Sequence, residues 1–235
     1  MDTKFSKIVF SIVFALLLTF AGCINPVTLQ KTVDDLIPFA ESGDIEAQIR
    51  LAELLVSHGE LGEAANWFRN AANLNSAQAQ LSLGVMYYHG HGVNQDFKMA
   101  EYWLIKSANQ GLATAQHSLG ALYYDKEDFD SAVFWFREAA TQGVAHSSHI
   151  LGVMYQNGVG VEQNLEKAVF WYRIAAERSF PLSSNNLGVM YMGGIGIDQD
   201  LDQAEYWFLR ALDGGILVAL ENLETLFEIR TTELD

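Results

Sequence analysis

Cysteine is nearly absent from this 235-residue chain: Cys23 is the only one, so no intramolecular disulfide can staple the fold. Proline is almost as scarce, with three residues, of which Pro26 and Pro38 precede the first clear unit and Pro181 stands where a helix is expected to begin. So little proline suits an all-helical chain. Basic residues are few: 14 lysines and arginines face 29 aspartates and glutamates, a formal net charge of -15. That balance excludes a nucleic-acid partner, because phosphate-backbone binding relies on clustered cations. The acidic stretch from Asp198 to Asp235 reads as solubilising surface that would also steer a basic partner. Long apolar runs are missing too, save one at the amino terminus. Half of all residues are nonetheless hydrophobic, which is ample for a folded core.

What is present is periodic. Trp67, Trp103, Trp135, Trp171 and Trp207 recur at steps of 36, 32, 36 and 36 residues. Ala64, Ala100, Ala132, Ala168 and Ala204 keep the same beat, as do Leu51, Leu83, Leu119, Leu151, Leu187 and Leu223. Gly84, Gly120, Gly152 and Gly188 follow the leucine, and Tyr87, Tyr123, Tyr155 and Tyr191 come three residues later. Such a period marks a chain built by stacking one small unit. Each unit predicts two helices, since Ala79, Leu83, Met86 and Tyr87 share one helical face and Ala100, Trp103, Leu104 and Ala108 share another. Neither helix can hide its apolar stripe alone, so each unit must lean on the next. The fold expected is therefore all-α, an α/α superhelical solenoid of helix-turn-helix repeats.

The glycine inside the first helix of every unit but the first, where Ala52 stands, costs roughly 1 kcal/mol of helix propensity. Its recurrence predicts a second helix passing too close for a side chain. Asp96, Asp128, Asn164 and Asp200 are expected N-caps of the second helices. Loops at Gly90-His91-Gly92, Gly158-Val159-Gly160 and Gly194-Ile195-Gly196 are expected to protrude; the first and third units lack them. Ser179 occupies a helix-ending position where Gly111, Gly143 and Gly215 stand elsewhere, which predicts a strained or opened corner.

Five units are read at 44–75, 76–112, 113–144, 145–180 and 181–216. Before them, 23–43 is expected to hold a tether, to about Gln30, and a capping helix whose Leu36 and Phe39 pack on the first pair. After them, 217–235 is read as a capping helix carrying Ala219, Leu223, Leu226 and Phe227, followed by an acidic tail.

At the amino terminus Lys4 and Lys7 precede the apolar run from Ile8 to Phe20, too short for a comfortable membrane span and proportioned like a secretory signal. Residues 1–22 are read as a signal peptide. The run ends in Phe20-Ala21-Gly22-Cys23, which resembles the lipobox of bacterial lipoproteins, although Phe20 departs from the usual leucine. The resemblance implies cleavage before Cys23, lipid modification of that residue and a membrane partner through the anchor. With Ile24 rather than aspartate next, it implies the outer membrane, the protein facing the periplasm or the outer surface. Cleavage after Ala21, leaving a soluble protein with a free thiol, is the other reading.

The string Leu83-Gly84, Tyr87, Gly90, Gly92-Val93, Asp96, Ala100, Trp103, Ser107-Ala108 and Gly111 resembles the Sel-one-like repeat, a relative of the tetratricopeptide repeat (TPR). Leu151-Gly152, Tyr155, Gly158, Gly160-Val161, Ala168, Trp171-Tyr172 and Ala175-Ala176 follow the same scheme. The resemblance covers about 44 to 216. It implies an adaptor or scaffold that holds another protein or a peptide, with no catalytic activity and no cofactor. A secreted, host-interacting factor is an alternative. Some family members with paired cysteines are linked to penicillin binding or β-lactam hydrolysis, which leaves a cell-wall hydrolase or β-lactam-modifying enzyme as a further alternative. This chain lacks those cysteines, and its mature part has neither S-x-x-K nor K-T-G.

Candidate chemistry rests on histidine. His146 and His149 are three apart on one helix, and His89 and His91 share a loop, but zinc needs three or four convergent ligands and no such set is apparent. Positions that vary between units are better candidates for partner binding. Tyr88, Tyr124, Gln156 and Met192 form one such column; Ser82, Ser118, Ile150 and Asn186 form another. Aromatic and methionine side chains there would serve as interface anchors. Ordinary helix packing explains the same columns as well.

Overall fold

The computed structural model describes residues 26–232. The apolar amino-terminal run, Cys23 and the last three residues lie outside them. Twelve helices follow in order among the described residues, and no strand. They are α1 Pro26–Glu41, α2 Ile45–Ser57, α3 Leu61–Asn73, α4 Ala77–His89, α5 Phe97–Asn109 and α6 Ala113–Asp125, then α7 Phe129–Thr141, α8 Ala145–Asn157, α9 Leu165–Glu177, α10 Pro181–Gly193, α11 Leu201–Asp213 and α12 Val218–Thr232. Each of α2 to α11 has 13 residues. The chain divides into two compact bodies at Asp125 and Lys126, so α1–α6 form one and α7–α12 the other. The fold class is the expected one, an all-α solenoid type made of helix-turn-helix repeats.

In the first body, Ala40 of α1 packs with Ala47 and Leu51 of α2, flanked by Leu36 and Ile37. A second cluster joins Ala64, Phe68 and Ala72 of α3 to Ala79, Leu83 and Met86 of α4 and Trp103 of α5. In the second body, Tyr155 of α8 meets Ala168 and Tyr172 of α9, Leu187 and Met190 of α10 and Trp207 of α11. The last cluster sets Ala204, Phe208 and Ala211 of α11 against Ala219 and Leu226 of α12.

The caps follow the sequence. Asp96 accepts from the amides of Lys98 and Met99, Asp128 from Ser131, Asn164 from Lys167, and Asp200 from Asp202 and Gln203. Each satisfies amides that the first helical turn leaves without partners. The backbone N–H groups of Asp96, Asn164 and Asp200 in turn donate to the carbonyls of Tyr87, Tyr155 and Tyr191, closing the loop over the preceding helix.

Three expectations are corrected. The segment read as a tether is already helical from Pro26, and Pro38 lies inside α1, near its end. Phe39 does not pack on the first pair: it is 60% exposed, while Ala40, one step round the helix, is buried instead. Nor do the glycine loops simply protrude. A Cβ on Gly92 would sit 2.1 Å from the Leu61 carbonyl oxygen, one on Gly160 2.5 Å from Phe129 Cβ, and one on Gly196 2.5 Å from the Leu165 carbonyl carbon. The second glycine of each loop is pressed against the start of the preceding repeat's second helix.

Ser179 carries the strain its position predicts. Its φ is +59°, in the left-handed region, where Gly43, Gly111, Gly143 and Gly215, and Asn75 with φ +69°, close the other corners. Ser179→Gly is expected to raise the unfolding free energy by about 0.5–1 kcal/mol, read from the midpoint of urea denaturation. An unchanged or lowered midpoint would show that the corner is not strained.

Candidate interaction surface

The nest that holds three of the helix pairs is built from one glycine and one bulky side chain. A Cβ on Gly84 would lie 2.8 Å from Leu104 Cγ, one on Gly152 2.5 Å from Tyr172 Cδ1, and one on Gly188 2.6 Å from Phe208 Cδ1. The collision that the recurring glycine predicts is therefore with the residue after the tryptophan. Phe68, Leu104, Phe136, Tyr172 and Phe208 form that column, and all are completely or almost completely buried. The tryptophans lie beside it. Trp103 and Trp207 are buried, whereas Trp67, Trp135 and Trp171 are half-buried.

Sequence reading missed this column, and two more. Gln95, Gln163 and Gln199, each just before the capping residue, donate through Nε2 to the carbonyls of Tyr88, Gln156 and Met192 at 2.7–2.8 Å. Arg69, Arg137 and Arg173 donate to the hydroxyls of Tyr87, Tyr155 and Tyr191, joining one repeat's second helix to the next repeat's first. Both columns were discernible as recurrences of one residue type at a fixed step. Tyr102, Phe134, Phe170 and Tyr206, each preceding its tryptophan, meet it edge to face at 4.8–5.1 Å and remain exposed.

The eight variable positions divide by burial. In the first body Tyr88 is buried, its ring edge-on to Phe97 and its hydroxyl donating to the Asp125 carboxylate at the end of α6. Ser82 and Ser118 are buried, the latter donating to the Thr114 carbonyl at 2.9 Å, and in the second body Ile150 is buried as well. These four side chains do structural work inside the chain. Tyr124, Gln156, Met192 and Asn186 are half-buried and keep surface that a partner can reach.

Two of those four are brought together. The Tyr172 hydroxyl donates to Gln156 Oε1 at 2.6 Å, and Asn186 hydrogen-bonds the same hydroxyl. Burial raises the Tyr172 hydroxyl to about 12, with the Asn186 bond pulling the other way. The phenol stays neutral and positions two carboxamides, from α8 and α10, whose remaining donors and acceptors suit a peptide main chain.

The histidines serve packing. His149 Nδ1 lies 2.8 Å from Ser183 Oγ; His146 stacks on Phe180 at 5.2 Å between centroids, and the His149 ring meets Phe180 at a tilt, 4.9 Å away. His89 stacks on His91 at 5.1 Å. Among the described residues no group of three or more histidines, cysteines or acids is placed to hold a metal ion.

Burial lowers His146 and His149 to about 4, the second also through the first. A histidine held neutral in the fold binds its proton only on unfolding, so this contribution is complete above pH 6.5 and is lost as pH falls toward 4. At pH 5 the loss is expected to be about 1–2 kcal/mol per histidine. His149→Asn, which copies Asn185 of the next repeat, should narrow the gap between melting temperatures at pH 7.5 and pH 5. An unchanged gap would rule the histidine out as its source.

No helix among the described residues is long and apolar enough to cross a membrane. The Sel1 repeat model matches the chain at 45–76, 77–112, 113–144, 145–180 and 181–216. No curated protein matches it in sequence. Among solved structures it is similar to c5321, a protective antigen present in uropathogenic Escherichia coli strains, with 29% identity, a TM-score of 0.67 and cover of 80% of this chain and 50% of that one. It is similar also to a Sel1 repeat protein from Oxalobacter formigenes, at 27% identity and TM-score 0.75, covering 84% of this chain and 60% of the other. A sel1 repeat protein from Klebsiella pneumoniae shares the fold, with 20% identity and a TM-score of 0.52 over 83% of this chain and 98% of that one. The chain thus spans between half and three-fifths of the first two relatives. With five consecutive matches and the glycine nest repeated in both bodies, the chain belongs to the Sel1 repeat family.

Proposed function

We propose that this chain is a non-catalytic scaffold that holds another protein, or a peptide from one, at the bacterial envelope. The observation that carries the reading is the contrast between fixed and variable positions. The glycine nests, caps and Gln and Arg staples repeat from unit to unit, while Tyr124, Gln156, Met192 and Asn186 differ and keep accessible surface. Two carboxamides and a thioether on the packed helices α8 and α10 of the second body, and separately a ring on α6 of the first, provide anchors and main-chain pairing with little ordering cost. The test is co-isolation from cells. Replacing all four with alanine should abolish recovery of the partner while the melting temperature stays within a few degrees; full recovery by the folded variant overturns the reading.

The anchor in this reading is an acylated Cys23 on the outer membrane, with the repeats facing the periplasm. More than one acyl chain would make attachment stable. Cys23→Ser should move the protein from the membrane to the soluble fraction, and continued membrane partition would place the anchor elsewhere. A surface-exposed, host-interacting version has its own support in the similarity to a protective antigen. Protease treatment of intact cells separates the two: degradation favours the outer face, protection the periplasm.

A further inference from the structure

Helix α12 carries the first-helix pattern of the repeats into a sixth unit. Leu223 continues the leucine column, Leu226 the position of Met86, Met154 and Met190, and Phe227 the tyrosine column. One side of the helix is covered, with Ala219 and Leu226 buried against Ala204, Phe208 and Ala211. The other is open. Leu220, Leu223, Glu224, Phe227 and Glu228 line a groove there, with Leu220 half exposed and Phe227 mostly so. In the complete repeats this is the side that takes the second helix, whose bulky residue nests on the glycine. At that step α12 holds Glu224, so the same apolar nesting is blocked and a carboxylate stands in the contact. Glu228 and Glu221 add negative charge beside it, and Arg230 is already committed to Asp202 and Glu205 at 2.6 Å.

We propose that this groove receives an amphipathic helix of another protein, one whose apolar stripe covers Leu220, Leu223 and Phe227 and whose lysines or arginines meet Glu224 and Glu228. Charge complementarity selects this occupant. A second copy of the chain would set Glu221, Glu224 and Glu228 against the same three carboxylates, and like charges across an interface oppose association. The groove is separate from the first-helix positions invoked above, so either assignment can fail without the other.

The test uses the full-length chain and a dye-labelled, stapled amphipathic peptide of leucine, alanine and lysine, read by fluorescence anisotropy, beside a counterpart with glutamate for lysine. The basic peptide should bind and the acidic one should not. Phe227→Ala should weaken binding about tenfold or more, and Glu224→Lys with Glu228→Lys should reverse the preference toward the acidic peptide. Glu162→Lys with Glu166→Lys, which changes net charge equally on a different surface, should leave binding as it was. Equal binding of both peptides, equal loss in that control pair, or a dimer of the chain that dissociates on Phe227→Ala would each overturn the proposal.

Discussion

Phe208→Ala is expected to lower the unfolding free energy of the body that holds α7–α12 by about 3–5 kcal/mol. The ring is completely buried, lies over Gly188, and is surrounded by Ala204, Ala211 and Ala219, whose methyl groups are too short to fill the space it would leave. The cavity therefore stays open and its full cost is felt. Trp171→Ala is the comparison, because Trp171 is the larger side chain but only half-buried. It is expected to cost about 2 kcal/mol or less. Urea denaturation of both variants ranks them. A larger loss for Trp171 would contradict the assignment of the nest to the column after the tryptophan.

Gly92→Ala should be nearly as damaging, by about 2–5 kcal/mol, through two independent terms. Its φ is +69°, which costs a residue with a Cβ about 1–2 kcal/mol. The new methyl would also meet the Leu61 carbonyl oxygen at 2.1 Å, and backbone cannot rotate aside as a side chain can. Gly111→Ala isolates the first term: its φ is +86° and nothing lies within 4 Å of the added carbon. That variant should lose only about 1 kcal/mol. Similar losses for the two would mean that the loop does not press on the preceding repeat.

Much of this was legible in the sequence because repetition separates requirement from accident. Five tryptophans, four in-helix glycines and four capping residues at regular steps determine the helix pairs, their ends and the close crossing. The partner of that crossing was not legible. Trp103 and Leu104, or Trp171 and Tyr172, are adjacent on a helix and both belong to its apolar stripe, so spacing alone cannot rank them. The loops misled for a related reason: glycine at Gly92 signals either freedom or crowding, and only the position of Leu61 tells which.

The candidate surface was harder still. In α4 every residue from Ala79 to Met86 is buried, because neighbouring helices cover it on most sides, so its helical period no longer separates inside from outside. Ser82, Ser118 and Ile150 vary between repeats and yet are interior. Tyr88 varies and is tied up by Asp125, a contact across a whole repeat that no local pattern announces. Variation marked a reachable position at Tyr124, Gln156, Met192 and Asn186 only, where the first helices run out toward their loops or meet the Tyr172 hydroxyl.

The central claim, that these first-helix positions meet another protein, is tested most directly in intact cells with a photoreactive amino acid placed in turn at Tyr124, at Met192 and, as a control on a second helix, at the exposed Phe170. Discrete adducts with one other protein from Tyr124 and Met192, and none from Phe170, are the result expected. Adducts from Phe170 alone, or from no position, would contradict it.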